Sequence, residues 1–306
     1  MQKAISGYWK LYKEYGLSKA IRFMYSWYYG QHKQRGIDLT KQQIVIVNGY
    51  KLLTIPNDKG ISVELIRFGT HEPLTTKIIL KELREGMTCL DVGGNIGYYV
   101  MLENKIVGKK GKVIAIEPSP VNFEYLKKNI KLQDSSNIEA YNLACGSIND
   151  EIDFLIRNPS NACKVFKKGD EIAPGEKVIT IPMVKLDTFV EDKSIEKIDF
   201  LRMDIEGYEY EAIKGASKII HKSKPMLQLE IHPGYMGSTK SKELLEFLEN
   251  EDYDVQQYVL GRFETPFVGS DKDIKKYSIN QLLNMLDNNT LPRIFLAFFK
   301  QKDEII

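Results

Sequence analysis

The stretch that most constrains this chain is Leu90-Asp91-Val92-Gly93-Gly94-Asn95-Ile96-Gly97. Met87 to Val92 is an apolar run of strand length, and Ile96 to Val107 carries apolar residues at helical spacing. Glycines at 93 and 97 let the backbone turn sharply between the two and come close to a ligand. Asn95 is one of the few other residue types that tolerates left-handed backbone. A strand, a glycine turn and a helix in that order predict the opening of a βαβ unit, whose sheet is parallel and covered by helices on both faces.

The alternation continues. Lys112 to Ile116, Ile138 to Leu143, Ile198 to Met203 and Pro225 to Ile231 read as further core strands. Ser119 to Leu132, Tyr208 to His221 and Ser241 to Leu248 read as helices, and Tyr253 to Leu260 and Arg293 to Phe299 as closing strands. Glu151 to Ile156 and Val178 to Val184 suggest hairpin strands around a polar loop, 157–177. Upstream, Ile44 to Val47 and Tyr50 to Ile55 flank Asn48-Gly49, a strong hairpin signal, and a helix is expected from Pro73 to about Glu85. The organisation expected is an N-terminal helical segment (1–36), a β-hairpin and helix leading into the core (37–85), and a doubly wound α/β domain (86–306).

Composition sets bounds on function. Of 306 residues, 43 are Lys or Arg and 41 Asp or Glu, for a net charge of +2. This balance excludes a uniformly basic nucleic-acid binder and an acidic disordered chain. Cys89, Cys145 and Cys163 form no C-x-x-C pair, which argues against a zinc knuckle or thioredoxin-type site and fits a reduced, cytoplasmic setting. No apolar run approaches the roughly 18 residues of a spanning helix, and no signal peptide is recognisable at the N-terminus.

In a doubly wound sheet, ligands bind beyond the carboxyl ends of the strands. Polar groups follow five of them: Asp91 with the turn 93–97, Glu117-Pro118, Asn142-Leu143-Ala144, Asp204 with Glu206, and Glu230 with His232. The turn does not spell the G-x-G-x-x-G of dinucleotide sites, and the acid at 91 would repel a pyrophosphate. Glu117 can accept from two ribose hydroxyls. A cationic nucleoside fits this set, which points to S-adenosylmethionine.

At this point the chain resembles the FkbM methyltransferases, a branch of the Rossmann-like class I S-adenosylmethionine-dependent fold. The resemblance rests on Thr70-His71-Glu72-Pro73, LDVGGNIG (90–97), IAIEP (114–118), Asn142-Leu143-Ala144 with Gly146, Leu186-Asp187, IDFLRMDIEGYE (198–209) and Leu229-Glu230-Ile231-His232, and covers about residues 60–299. It implies a mainly parallel sheet with an antiparallel last strand and O-methylation of a hydroxyl on a sugar, glycan, glycolipid or similar small molecule. By the same resemblance Asp91, Gly93, Gly94, Asn95 and Gly97 hold the methionine part of the cofactor, Glu117 and Pro118 the ribose side, Asn142, Leu143 and Ala144 the adenine, and Asp204 lies below the methyl group. Glu72 either caps the helix after Pro73 or lines the pocket. Glu206 either faces the site or serves as a helix N-terminal carboxylate.

A hydroxyl loses its proton on methylation, so a positioned base is expected. His232 is the first candidate by type and Asp204 its rival. Gln228, Glu230 and His232 alternate onto one face of their strand, so Glu230 can act with His232. Asp204, Glu206 and Glu230 could hold Mg²⁺, but the paired acidic residues usual after the fifth strand are absent, and no metal is expected. Base methylation of nucleic acid would call for a proline pair after the fourth strand, where Asp204-Ile205-Glu206 stands. A cofactor-binding scaffold or membrane-surface module without turnover stays as the alternative.

Residues 1–36 hold both tryptophans, seven basic residues and one acid. Leu17, Ala20, Ile21, Met24, Tyr25 and Tyr28 recur at helical spacing, and Gly16-Leu17-Ser18 can break the helix. Three readings stay open for this arm: packing on the catalytic domain or a second subunit, a wall of the acceptor site, or peripheral contact with an anionic membrane at its inner face or with a lipid-linked glycan. Loops 157–177 and 262–290 are further candidates for acceptor recognition. The oligomeric state stays open, a dimer included.

Overall fold

A computed structural model describes residues 2–133 and 135–302. The chain opens with α1 (Gln2–Gln34), the hairpin β1 (Ile44–Val47) and β2 (Tyr50–Leu53), and the helices α2 (Ile61–Phe68) and α3 (Pro73–Glu82). The alternating part runs β3 (Thr88–Val92), α4 (Tyr98–Val107), β4 (Lys112–Ile116), α5 (Pro120–Lys131) and β5 (Ile138–Tyr141). Then come the short strands β6 (Ala144–Cys145), β7 (Asp150–Ile156), β8 (Lys164–Val165) and β9 (Lys177–Val184). The second half holds α6 (Leu186–Asp192), β10 (Phe200–Met203), α7 (Glu209–Gly215), α8 (Ser217–Ser223), β11 (Met226–Ile231), α9 (Pro233–Met236) and α10 (Ser238–Asn250). It closes with β12 (Tyr253–Leu260), β13 (Lys275–Tyr277), α11 (Ile279–Asp287) and β14 (Phe295–Gln301).

Eight strands form the main sheet, in the order β13-β12-β14-β11-β10-β3-β4-β5. From β11 through β5 the neighbours are parallel. β14 runs antiparallel between β11 and β12, as expected for the last strand, and β13 adds a second reversed strand at the edge. The central strands are buried on both faces, which explains their continuous apolar runs. Leu90, Val92, Leu201, Met203, Leu229 and Ile231 pack on one face; Cys89, Val113, Ala115, Phe200 and Phe298 pack on the other. Chain order reverses at the β3/β10 pair, and ligands of such sheets bind in the crevice at that point.

Asn48 and Gly49 close the β1/β2 hairpin with φ of 49° and 83°, the turn expected of Asn-Gly. Ser119 caps α5 through its side chain, accepting from the Asn122 amide. Three expectations need correction. The helix from Pro73 stops at Glu82 because Leu83 turns extended. The single helix expected over 208–221 is two, meeting at Ala216. The polar loop 157–177 contains β8, which pairs with β7, so the expected hairpin is part of a four-stranded sheet in the order β6-β9-β7-β8. α2, α6, α9, α11, β6 and β13 are elements that the sequence reading does not contain.

α1 is interrupted at Gly16 (φ 81°, ψ 171°), where the sequence suggests a break. Its second half docks through Ala20, Ser26 and Gly30, all buried. A Cβ on Gly30 would lie 2.8 Å from the Phe68 ring, so the close approach requires glycine. Of the apolar stripe read from the sequence, only Ala20 is buried; Leu17, Ile21, Met24, Tyr25 and Tyr28 point outward.

Candidate active site

A cavity of about 250 Å³ opens over the carboxyl ends of β3, β4, β10 and β11. The glycine turn Gly93-Gly94-Asn95, Glu117, Pro118, Leu143 and Ala144 line it, together with Asp204, Glu206, Glu230 and His232. His71, Glu72, Tyr98, Tyr99 and Arg202 complete its polar wall. The sequence therefore brought together groups from four strand ends that lie up to 140 residues apart.

Gly93 has φ +94°, and its amide donates to Ile116 O at 2.8 Å. A Cβ there would stand 2.0 Å from Asp204 O, so any side chain would push β10 away from β3. Asn95 takes left-handed backbone (φ 49°), as its residue type allows. Its amide donates to Glu117 Oε2 at 2.8 Å. Glu117 Oε1 accepts from the Ser119 amide at 2.8 Å and from Asn122 Nδ2 at 3.3 Å. Three of the roughly four acceptor positions of this carboxylate are thus filled by the chain. Burial pushes its pKa up to about 7, against the pull of these donors.

Three expected contact residues do not line the cavity. Gly97 (φ 99°) instead starts α4, where a Cβ would meet Leu126 at 2.9 Å. Asn142 turns its amide to Glu117 O (2.8 Å) and Pro118 O (3.0 Å), fixing the end of β4 from behind. Asp91 is fully buried beneath Arg202. These two residues face each other across β3 and β10, and Arg202 Nη1 donates to Asp91 Oδ1 at 3.0 Å. Arg202 Nη2 donates to Asp204 Oδ2, also at 3.0 Å, and the guanidinium lies 4.1 Å from the Tyr99 ring centroid.

The other end of the cavity is acid-rich. Burial works against ionising Asp204, but the Arg202 charge outweighs it and holds the carboxyl below its ordinary value. Glu206 is pushed up to about 8 by burial and by the neighbouring Asp204 charge. Glu230 is also raised well above its ordinary value, by burial and then by Asp204 and Glu72. His232 is buried, not a loop histidine in solvent. Its Nδ1 is 2.9 Å from Glu209 Oε1 and its Nε2 3.5 Å from Glu206 Oε2. Burial disfavours the imidazolium, yet Glu209, Glu206 and Asp204 together raise the pKa to about 9. Asp204, Glu230 and His232 each present a donor atom within 4.8 Å of the others, a spacing that could hold a metal ion.

Glu72 sits in left-handed backbone (φ 42°) and accepts from Tyr99 OH at 2.7 Å. It lines the cavity and does not cap α3. The amides of Leu74 and Thr75 are taken by Glu264 at 2.9 and 3.0 Å. Glu206 likewise faces the cavity. Of the two loops named for acceptor recognition, 157–177 contributes Ser160, Asn161, Cys163 and Val165 to the wall, and 262–290 contributes nothing. Ser160 O accepts from Asn122, so the first loop closes the Glu117 end. No described residue of α1 reaches the cavity.

Sequence reading passed over Arg202, Tyr99 and Glu209. Arg202 left a signal: a guanidinium in the otherwise apolar run Phe200 to Met203, which a buried strand carries only when it is paired.

A family model described as the methyltransferase FkbM domain matches residues 91–255. The chain is 29% identical over 171 residues to the hexuronic acid methyltransferase AglP of Haloferax volcanii, covering 56% of this chain and 66% of that protein. It is 27% identical over 158 residues to methyltransferase sdnD of Sordaria araneosa, covering 42% of this chain and 60% of that one. The matched stretch thus spans less than two thirds of either relative. Among solved structures, a methyltransferase FkbM from Methylobacillus flagellatus superposes with a TM-score of 0.42 at 21% identity, covering 57% of this chain and 40% of that chain.

Proposed function

The chain belongs to the methyltransferase FkbM domain family, and from that premise we propose that it is an S-adenosylmethionine-dependent O-methyltransferase acting on a hydroxyl of a sugar, glycan, glycolipid or similar small molecule. The observation that carries the reading is one cavity with two chemically distinct ends. At one end a glycine turn and Glu117 meet apolar walls. At the other, Asp204, Glu230 and His232 converge.

The residues present fit the methyl donor. The cradle at Gly93 leaves no room for a Cβ; the ionised Asp204, with Glu206 and Glu230 whose raised pKa values a nearby cation would bring down, suits a ligand with cationic amino and sulfonium groups. Glu117 keeps one acceptor position on Oε2 for a ribose hydroxyl. Pro118, Leu143 and Ala144 offer an apolar slot for the adenine. Bound there, S-adenosylmethionine supplies a methyl group already activated on sulfur.

The chain's own part is alignment and proton removal. Alignment of acceptor and donor in one pocket can contribute about 7–11 kcal/mol in the best intramolecular cases. His232 holds its Nδ1 proton toward Glu209, which leaves Nε2 as the atom that would take the acceptor's hydroxyl proton. While protonated, His232 is stabilised by Glu209, Glu206 and Asp204. A cationic ligand in the same cavity competes with it for Glu206 and Asp204, which lowers its pKa and readies it as a base. Asp204, fixed by Arg202, is the second candidate for this role, and Glu230 supports either. No metal is invoked.

The relative named as a hexuronic acid methyltransferase supports a sugar acceptor. The exposed, basic, aromatic arm adds a reading of where that acceptor is met: at the inner face of an anionic membrane, by a peripheral cytoplasmic enzyme. The decisive experiment is transfer of the labelled methyl from S-adenosylmethionine to a panel of uronic acids, neutral glycans and glycolipids, with the product identified by mass spectrometry. Donor binding without transfer to any acceptor would replace this reading by a cofactor-binding scaffold. Transfer to nucleic acid alone would replace it by a base methyltransferase.

A further inference from the structure

The second half of α1 carries a second apolar face, one more than packing on its own domain needs. Its inward side uses Ala20, Ser26 and Gly30, with Phe23 against the core and Tyr29 stacked on Phe68 and edge-on to Phe267. Lys19 donates to Val268 O at 3.0 Å and pairs with Asp273. Leu17, Ile21, Met24 and Tyr28, at i, i+4, i+7 and i+11, form one continuous outward stripe, each between 50 and 63% exposed. Trp27, also exposed, flanks it, and Tyr25 is half exposed with its ring edge-on to Phe267. An apolar stripe of this extent left in water on a folded protein marks an interaction surface.

We propose that this stripe seats α1 in the headgroup layer of an anionic lipid bilayer. Charge decides for that occupant. Lys10, Lys13, Arg22, Lys33 and Arg35 are all exposed on the same arm. Its single acid, Glu14, is already engaged by Arg262 at 3.1 Å. The arm carries seven basic residues and one acid, while residues 37–306 carry 36 and 40. A two-fold pairing of α1 with a second copy would bring two such arms together against their own repulsion. An anionic lipid surface attracts them, and tryptophan, tyrosine and long basic side chains are the types that settle at that depth. Among the described residues no helix is long and apolar enough to cross a membrane, in keeping with a helix lying in the interface. The surface deepens the reading of where the acceptor is met, but its test contains no methyl transfer, so either can fail alone.

The test is co-sedimentation of the full chain with phosphatidylcholine vesicles and with vesicles containing 30% phosphatidylglycerol, at low and high salt. The wild type is expected to sediment with the anionic vesicles and to be released by salt. The Leu17→Ser/Ile21→Ser/Met24→Ser/Tyr28→Ser variant should lose at least roughly 10-fold in bound fraction while keeping the wild-type melting temperature, because these side chains touch little of the fold. Lys10→Gln/Lys13→Gln/Lys33→Gln should weaken binding to anionic vesicles only. The proposal is overturned if the wild type stays in the supernatant with both vesicles, if the serine variant binds as the wild type does, or if the wild type is a dimer in solution that the serine variant dissolves into monomers.

Discussion

Arg202 and Asp91 are cross-strand partners at the centre of the sheet, their side chains 3.0 Å apart and both almost wholly removed from solvent. The same guanidinium holds Asp204 at the cavity wall, so one buried cation ties the floor of the site to its reacting end. Removing one partner of a buried pair strands the other charge. Arg202→Ala is expected to cost about 3–5 kcal/mol in urea unfolding. Arg202→Lys should recover only part of this, since a single ammonium does not bridge two carboxylates as the planar fork does. In a double-mutant cycle, Asp91→Asn with Arg202→Ala should cost clearly less than the sum of the singles. Additive losses would mean that the pair is not coupled.

Gly93 and Gly94 are neighbours with opposite tolerances. Gly93 has positive φ and a backbone oxygen 2.0 Å from where a Cβ would stand. At Gly94 the nearest atoms are the Val100 and Ala115 side chains, at 3.3 and 3.5 Å. Gly93→Ala is therefore expected to lower the melting temperature and abolish donor binding measured by calorimetry. Gly94→Ala should bind the donor within roughly 3-fold of wild type, a change under 1 kcal/mol. Equal behaviour of the two would refute the cradle at 93.

The contrast between what was legible and what was not has a physical basis. Period and turn chemistry are local, so β4, β12, the Asn48-Gly49 hairpin and the Gly16 break could be read directly. Strand-end logic then collected Glu117, Asp204, Glu206, Glu230 and His232, because a parallel sheet gathers those ends on one edge. What is set by register was hidden. Nothing in the one-dimensional chain says that position 91 lies opposite 202, so the pairing of Asp91 with Arg202 is visible only in the fold. The stripe on α1 was legible as a stripe, but periodicity names a face without saying which way it points. The amides of Leu74 and Thr75 pair with Glu264, 190 residues on, a distance no capping rule spans.

Glu117 serves two purposes that a pair of variants can separate. It holds the Asn95 and Ser119 amides at 2.8 Å each, and in the proposed function it accepts from a ribose hydroxyl. A hydrogen bond to a charged group is worth about 1.5–3 kcal/mol. Glu117→Ala should raise the donor Kd by roughly 10- to 150-fold and also destabilise the turn. Glu117→Gln keeps one acceptor oxygen and should show a smaller change in both. If Glu117→Ala binds the donor as tightly as wild type, the ribose assignment is wrong.

Metal dependence is decided by Asp204, Glu230 and His232, whose donor atoms could gather around one ion. Glu209, Glu206 and Asp204 raise the pKa of His232 to about 9, so an ion bound there would have to displace a proton that these groups hold. Arg202 already neutralises Asp204. Turnover is therefore expected to survive dialysis against a chelator unchanged. Activity lost on chelation and restored by Mg²⁺ or Mn²⁺ would reassign these three side chains as ligands.

The pH dependence of the same histidine supplies the sharpest test of its environment. Its folded-state pKa of about 9 lies above the ordinary 6.5. The native state therefore binds the extra proton more tightly than the unfolded chain. That contribution is fully present below pH ~6.5 and is lost as pH rises to ~9, with an upper bound of about 3 kcal/mol for a shift of this size. His71, raised to about 9 by Glu64 and Glu72 against its own burial, adds in the same direction. Unfolding free energy should thus fall between pH 6.5 and 9, and His232→Gln should flatten part of that fall and leave the share due to His71. With His232 as the proposed base, methyl transfer is expected to rise with pH over the alkaline range in the wild type, and this rise should vanish in His232→Gln. A variant that keeps both slopes would remove His232 from the mechanism and leave Asp204 as the base.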